Sequence, residues 1–597
     1  MGRVVRYPMR GCGPCQRDKF LRSTMPPPPA ATITIRETLA MLDGPKRAIA
    51  EGVANDRYVL WLGSGISRER MPDLKDLAKN VLRTLQVRID QADPACRYRR
   101  ALNEVLERAM PSAEEWAAVD YGQSVDLWPM LDVLAGRLVS NYARMLNVTV
   151  DGEEPDFLLW DVLDAARTYS DPAIQPDAEH LCLAALAIEG VASEMPTANW
   201  DPLVERAVAI LAGDRPVLRV AVAPEDTRRH RRRANLYKFH GCAEAARSDP
   251  DRYRRLLVSR YNQINGWAAN NPVMAGELIH LILTKPTLML GLSVQDSNIQ
   301  ALFAAAQARM PWRWPTEPPS DPPAYAFAEN ALGGDQESLL QNVYKDDHTP
   351  ATRNPIKAEA LVQAYAKPLL LALWLYVVTA KLRLLVDHGF PGLSPADREK
   401  LREGLGHARD FVADGLVPTP EVVLELLESF GRLMAMFRQG GLPAAAEGVY
   451  SPISADPLHA MPADPSLNGC GIIQFALAAG LIGLGLQRAH WSAGKAPAAD
   501  PAPGAFVLTG RSGPAKVYFA ATPQAAILLG VNGLVADNDD AVIVHSQMNP
   551  PAMQRSPRRP PGRTGLAVMR EVSVPDLLAD GAEVEDLLDR FRVAVAL

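Results

Sequence analysis

Cysteine is scarce in this chain of 597 residues: Cys12, Cys15, Cys96, Cys182, Cys242 and Cys470 are the whole supply, and only the first two are closely paired. A disulfide-stapled scaffold is excluded on that count, and scattered single cysteines suit a reducing compartment. A structural zinc held by four cysteines is not expected either, since it needs a second close pair. Charge of one sign is also lacking. Lys and Arg number 63 against 69 Asp and Glu, a net charge of −6, which gives no general reason to expect a nucleic-acid binder. No secretory signal opens the chain, so the cytoplasm is the default location. Long apolar runs are interrupted. In 358–387, Lys367 and Lys381 bracket too short a run for a membrane span, and glycines with Gln474 make 469–486 a buried helix. What is plentiful is core material, with 48% hydrophobic residues, enough for two or more domains.

Within the first 350 residues, four short segments each follow an apolar run. Tyr58–Leu62 is apolar throughout, as in a strand buried on both faces, and Gly63-Ser64-Gly65-Ile66-Ser67 then allows a tight turn before a helical pattern starting near Asp73. Strand, glycine turn and helix together present backbone N–H groups to an anion, although Arg68 stands where the dinucleotide fingerprint has its third glycine. A helical stretch, 178–188, precedes a short strand over 191–196 and then Thr197-Ala198-Asn199-Trp200-Asp201. Asn199 reads as a ligand-facing amide or a turn residue, and Asp201 with Pro202 as a helix start or a site carboxylate. The strand over 234–239 ends in His240-Gly241, where the histidine is a proton-transfer group or a structural one. The strand 286–290 leads to Gly291-Leu292-Ser293, with Asp296 able to hold a ribose hydroxyl or cap a helix.

In this order the segments resemble those of the sirtuin-like NAD-consuming domain found in bacterial antiphage defence proteins. That family carries Gly-Ala-Gly-x-Ser, Thr-x-Asn-Tyr-Asp, Lys-Leu-His-Gly and Gly-x-Ser-x-x-Asp, matched here by Gly63–Ser67, Thr197–Asp201, Lys238–Gly241 and Gly291–Asp296. The resemblance spans roughly residues 45–350 and implies a Rossmann-like, doubly wound parallel α/β sheet with large helical insertions. It also implies NAD+ as substrate, cleaved between nicotinamide and ribose. Asn199 would orient the ribose and the attacking water, His240 would be the general base, and Asp201 would bind the carboxamide or steady developing charge. Gly63, Ser64, Gly65 and Ser67 would cradle the diphosphate, with Gly291, Ser293 and Asp296 on the adenosine side. The departures matter. Deacylases of the family have a four-cysteine zinc module, absent here, and a Gln where this chain has Ala198. Their Ile-Pro-Asp-Phe-Arg run is Met71-Pro72-Asp73-Leu74-Lys75 here. These changes favour NAD+ hydrolysis over transfer to a protein. Protein deacylation, ADP-ribosylation and non-catalytic NAD sensing stay open as alternatives. Relatives are often homo-oligomeric, and some pair with a translocase ATPase or an Argonaute-like partner.

The remaining chain is organised as a flexible amino-terminal segment (1–35), the NAD-binding domain (36–350) and a carboxyl-terminal domain (355–597) that is helical, then mixed α+β, with a role in assembly or sensing. Cys12-Gly13-Pro14-Cys15 looks like a thioredoxin motif without the strand and helix that make one work, and a start at Met25 would remove it. The strand over 324–328 is expected to finish the first sheet. The basic run Arg228–Arg233 reads as a solvated loop or as a patch attracting phosphate, from the dinucleotide or a nucleic-acid trigger. Residues 505–509, 515–520 and 541–545 read as strands, 550–563 as a Pro- and Arg-rich loop, and 574–593 as helix.

Overall fold

Alternation of side chains across one buried sheet explains the architecture. In the computed structural model, β1 (Val59–Leu62) sends Leu60 and Leu62 into one apolar core and Val59 and Trp61 into another. The same two-residue period sorts Leu288 and Leu290 from Met289 in β5 (Thr287–Leu290), and Ala326 and Ala328 from Tyr325 and Phe327 in β6 (Tyr325–Ala328). With β2 (Glu194–Thr197), β3 (Leu218–Ala221), β4 (Ala234–Lys238) and β7 (Leu361–Val362) they form a seven-stranded sheet, ordered β3-β4-β2-β1-β5-β6-β7. Every pairing in it is parallel. The structure describes residues 29–314, 323–441, 445–495, 506–522, 541–548, 570–579 and 583–597, plus positions 524, 525, 528, 531 and 581. The Cys12–Cys15 pair, Met25, most of the flexible 1–35 segment and the 550–563 loop lie outside the described residues.

Helices cover both faces, as a doubly wound fold requires. Ala178–Ile188, Leu203–Ala212 and Ala366–Gly389 pack on the Leu60 side, and Pro272–Thr284 and Ser297–Arg309 on the Trp61 side. Two excursions leave the sheet at its carboxyl ends. Between β1 and β2, helices from Leu74 to Tyr169 enclose their own core, with Leu85, Leu102, Val105 and Leu134 fully buried. The segment after β4 adds Ala246 and Leu257 to it.

The sheet does not stop at 324–328. β7 adds Leu361 beside Phe327 and Val362 beside Ala328, beyond the boundary expected near residues 350–355. The helix Ala366–Gly389 then returns across the sheet. Lys381 on that helix is fully buried, with Nζ 2.7 Å from Glu189 Oε2, 2.7 Å from Glu189 O and 2.7 Å from Ser454 O. Glu189 Oε1 accepts from Tyr450 Oη at 2.6 Å and from the Ile453 N–H at 3.2 Å. The helix is long and apolar enough to cross a bilayer, and 83% of its most apolar window is buried inside the protein. Beyond it, β8 (Ser492–Lys495), β9 (Phe506–Gly510), β10 (Gly513–Ala520), β11 (Ala541–His545) and β12 (Arg570–Ser573) build a mixed sheet ordered β12-β11-β10-β9-β8. β10, β11 and β12 run parallel, while β9 pairs antiparallel with both β10 and β8. This second sheet joins the same apolar core as the Leu60 face of the first, from Ile35 through Leu385 to Val595.

Candidate functional site

The four segments singled out in the sequence stand side by side. β4, β2, β1 and β5 are neighbours in that order, so His240, Asn199, the glycine turn and the Gly291–Ser293 turn all leave the carboxyl edge of one parallel sheet. At roughly 4.8 Å between strands the row is about 14 Å wide. Connections leave β1 and β5 in opposite directions along the sheet, which makes this edge the topological switch point where α/β folds bind ligands.

The glycines bring two turns into backbone contact. A Cβ on Gly65 would stand 2.6 Å from Gly291 Cα, and one on Gly63 would stand 2.6 Å from Leu292 Cα. Gly291 itself has φ +62. The Gly63 N–H donates to Leu290 O and the Gly65 N–H to Gly291 O, both at 3.0 Å, so these two amides serve the turn-to-turn contact. Ser64 and Gly65 are exposed in this turn, and Ser67 is buried. Val294, just beyond the second turn, is fully buried at φ +60. A β-branched residue there stores about 1–3 kcal/mol of backbone strain beside the Ser293–Asp296 segment.

Asn199 is tied down at its nitrogen and open at its oxygen. Its backbone N–H donates to Thr197 Oγ1 at 3.0 Å, and Nδ2 donates to Gly63 O at 3.0 Å. Because a carbonyl can only accept, the amide orientation is fixed. Among the described residues Oδ1 is buried without a hydrogen-bond partner. Asp201 is buried one turn further on, where Oδ1 accepts from the Leu203 N–H at 3.2 Å and the carbonyl accepts from buried Lys238 Nζ at 2.6 Å. The helix begins at Leu203.

His240 is 3% exposed and meets Asn298 Nδ2 through Nε2 at 2.8 Å. Burial lowers its pKa, opposed by the charge of Asp296 and the Asn298 bond, which leaves a neutral ring at neutral pH. The Asn298 amide has its own unpartnered buried oxygen. Turned over, it would accept from Nε2–H and leave Nδ1 as a lone pair. Asp296 is half-buried and accepts from Tyr142 Oη at 2.7 Å, which ties the helical excursion to the rim of this sheet edge. Ser293 is exposed on the same rim. An open cleft of about 610 Å³ lies between Glu69–Pro72, which follow the glycine turn, and Arg167–Asp171 of the excursion, and Asn199, His240 and Asp296 are not among its lining residues.

Two participants escaped the sequence reading: His180 lies 3.1 Å from Ser67 Oγ, and Lys367 reaches Glu69 at 2.7 Å and Asp177 at 3.2 Å. A single histidine directly ahead of the apolar run Leu181–Ile188 was the available signal for the first. Asn298, part of the helix start at Asp296–Asn298, pairs with His240. The basic run falls elsewhere. Arg228–Arg233 runs from the turn after β3 to the amino end of β4. Arg229 pairs with Asp226 at 3.0 Å, and Arg231 with Glu194 at 3.3 Å and Glu277 at 3.4 Å. Among the described residues no cluster of His, Cys, Asp and Glu could hold a metal.

The fold is that of a Rossmann-like α/β protein. Residues 193–346 match the family model of the SIR2-like domain, so this stretch is similar to sirtuin-like domains, a class that binds NAD+. That match covers three of the four segments, and the parallel sheet supplies the fourth by placing β1 between β2 and β5. Comparison with curated proteins finds no match.

Proposed function

We propose that this protein is an NAD+ glycohydrolase that releases nicotinamide and ADP-ribose, acting in the cytoplasm as an antiphage effector through NAD depletion. The observation that carries the reading is Asn199 Oδ1, a buried acceptor without a partner among the described residues, at the carboxyl edge of the sheet. An unmet acceptor in such a place costs about 1–3 kcal/mol, and a donor from the ligand, a ribose hydroxyl or the attacking water, would relieve it. Cleavage of the nicotinamide–ribose bond develops positive charge on the ribose, so a fixed amide dipole with its oxygen inward suits the transition state. Neutral His240 supplies the base toward a ribose hydroxyl or water through Nδ1 once Asn298 holds Nε2–H. Ser64 and Ser67 would meet the diphosphate, while Ser293 and Asp296 would face the adenosine side. Asp201, capped against Leu203 and close to Lys238, would act on the carboxamide side of the cleft.

Hydrolysis is favoured over protein modification by Ala198 in place of the family's deacylase glutamine. Such an enzyme would be toxic if unrestrained, so its activity is tied to a trigger, a homo-oligomer or a partner chain. Incubation with NAD+ and separation of the products tests the reading. Nicotinamide and ADP-ribose should form with the native protein and fail to form with Asn199→Ala and His240→Ala. NAD+ binding without cleavage under activating and resting conditions alike would make the domain a sensor, and no binding at all would overturn the NAD reading.

A further inference from the structure

His180 sits on a helix whose every residue is buried, Ala178–Ile188, and its ring has two neighbours. The Asp177 backbone N–H lies 3.1 Å from Nδ1, and Ser67 Oγ lies 3.1 Å from Nε2. A backbone N–H can only donate, so Nδ1 bears the lone pair and, in the neutral ring, the proton is on Nε2. Complete burial lowers the pKa to about 4 and keeps the ring neutral at physiological pH. Nε2–H therefore donates to Ser67 Oγ. Asn199 Nδ2, already oriented by Gly63 O, approaches the same oxygen at 3.4 Å. With both lone pairs of Oγ engaged, only the hydroxyl proton is left, and no described residue accepts it.

This geometry is a serine–histidine pair with its polarity reversed. A nucleophilic serine needs a lone pair on the histidine to take its proton, and here the histidine gives one instead. Ser67 is thus no nucleophile. Asp177, whose N–H sets the tautomer, is itself clamped: its carboxylate accepts from Ala178 N at 2.6 Å and Arg70 Nε at 3.1 Å, and pairs with Lys367 at 3.2 Å. Lys367 belongs to the first turn of Ala366–Gly389, so the clamp reaches the cleft from the carboxyl-terminal half of the chain.

We propose that His180 is a positioning residue that makes Ser67 an obligate hydrogen-bond donor toward a diphosphate oxygen of the bound dinucleotide, with Arg70 and Lys367 holding the segment that fixes it. The ligand end of this proposal rests on the NAD reading above. Its protein end does not, because the tautomer is a property of the free protein.

The test therefore has two arms. In histidine-¹⁵N-labelled protein, the resonance lost in His180→Gln should report an Nε2–H tautomer that persists from about pH 5 to pH 8. Finding the Nδ1–H tautomer overturns the proposal outright. In the second arm, ADP-ribose affinity is measured by calorimetry, since this ligand keeps the diphosphate and is not consumed. Ser67→Ala and His180→Leu should each weaken it about tenfold or more. The double variant should be no weaker than either alone, and His180→Gln, which still offers a donor to Ser67, should stay within about threefold of native. An effect of His180→Leu that persists undiminished in the Ser67→Ala background refutes the relay. If His180→Leu does not fold, His180→Gln with and without Ser67→Ala decides the same question. Native protein that binds neither ADP-ribose nor NAD+ while showing the Nε2–H tautomer removes the dinucleotide reading, and with it the ligand end of the proposal.

Discussion

Replacing Lys381 by Met leaves the Glu189 carboxylate fully buried with its cation gone. Three acceptors surround Nζ at 2.7 Å, and both partners of the ion pair are inaccessible to solvent. The methionine stem fills most of the lysine volume, so lost packing is a small part of the cost. The larger part is the uncompensated charge, and breaking one side of a buried pair costs about 3–5 kcal/mol. Against a typical total stability of about 5–15 kcal/mol, that is about a fifth or more. The expected double variant, Lys381→Met with Glu189→Gln, keeps the acceptors for Tyr450 Oη and the Ile453 N–H and removes the stranded charge. It should recover most of the loss and stand within about 2 kcal/mol of native. Urea denaturation followed by tryptophan fluorescence and circular dichroism measures all three proteins. A single variant within about 1 kcal/mol of native, or a double variant as unstable as the single, would refute the argument that charge burial dominates here.

Asn199→Asp is nearly isosteric but sets a carboxylate oxygen against Gly63 O, and NAD+ turnover should fall about a hundredfold or more with little change in melting temperature. Gly65→Ala forces a Cβ to 2.6 Å from Gly291 Cα and should cost about 2–3 kcal/mol together with ligand binding. Gly136→Ala, on a helix with no neighbour within 4 Å, should stabilise by about 0.5–1 kcal/mol and serves as the control. His180 has its folded pKa lowered from 6.5 to about 4, so the unfolded chain binds more protons in that window, and stability from this group falls as pH drops through it. Buried Glu179, raised to about 8, has the opposite slope between 4.5 and 8. The measurement is thus the difference in pH-dependent stability between native and His180→Gln, which should be positive in slope below pH 6.5.

Strands buried on both faces were legible because periodicity and composition agree there: Tyr58–Leu62, 286–290 and 234–239 differ from the observed strands only at their ends. β3 was not, because Leu218-Arg219-Val220-Ala221 is an edge strand with a charged residue in its middle, and β7 is two residues long. β12, Arg-Glu-Val-Ser, has the same difficulty. At the site, small residues after apolar runs marked the four strand ends. The polar partners did not show, since Tyr142 to Asp296 joins positions 154 apart and Asn298 to His240 positions 58 apart. No local pattern encodes such pairs; tertiary packing selects them.

The unbroken core running from Ile35 to Val595 has a consequence for how such a chain can be divided. A gene cut after residue 355 would sever β7 and strip the 24-residue helix whose lysines reach Asp177 and Glu189, so the two halves can be inherited, swapped or expressed only together. The helical excursion between β1 and β2 encloses a core of its own and is fastened to the rim by contacts such as Tyr142 to Asp296. Recombination that trades substrates or triggers while sparing the fold has its natural joints there, at Asp73 and Ser170, and limited proteolysis should nick the excursion while the carboxyl-terminal half stays attached.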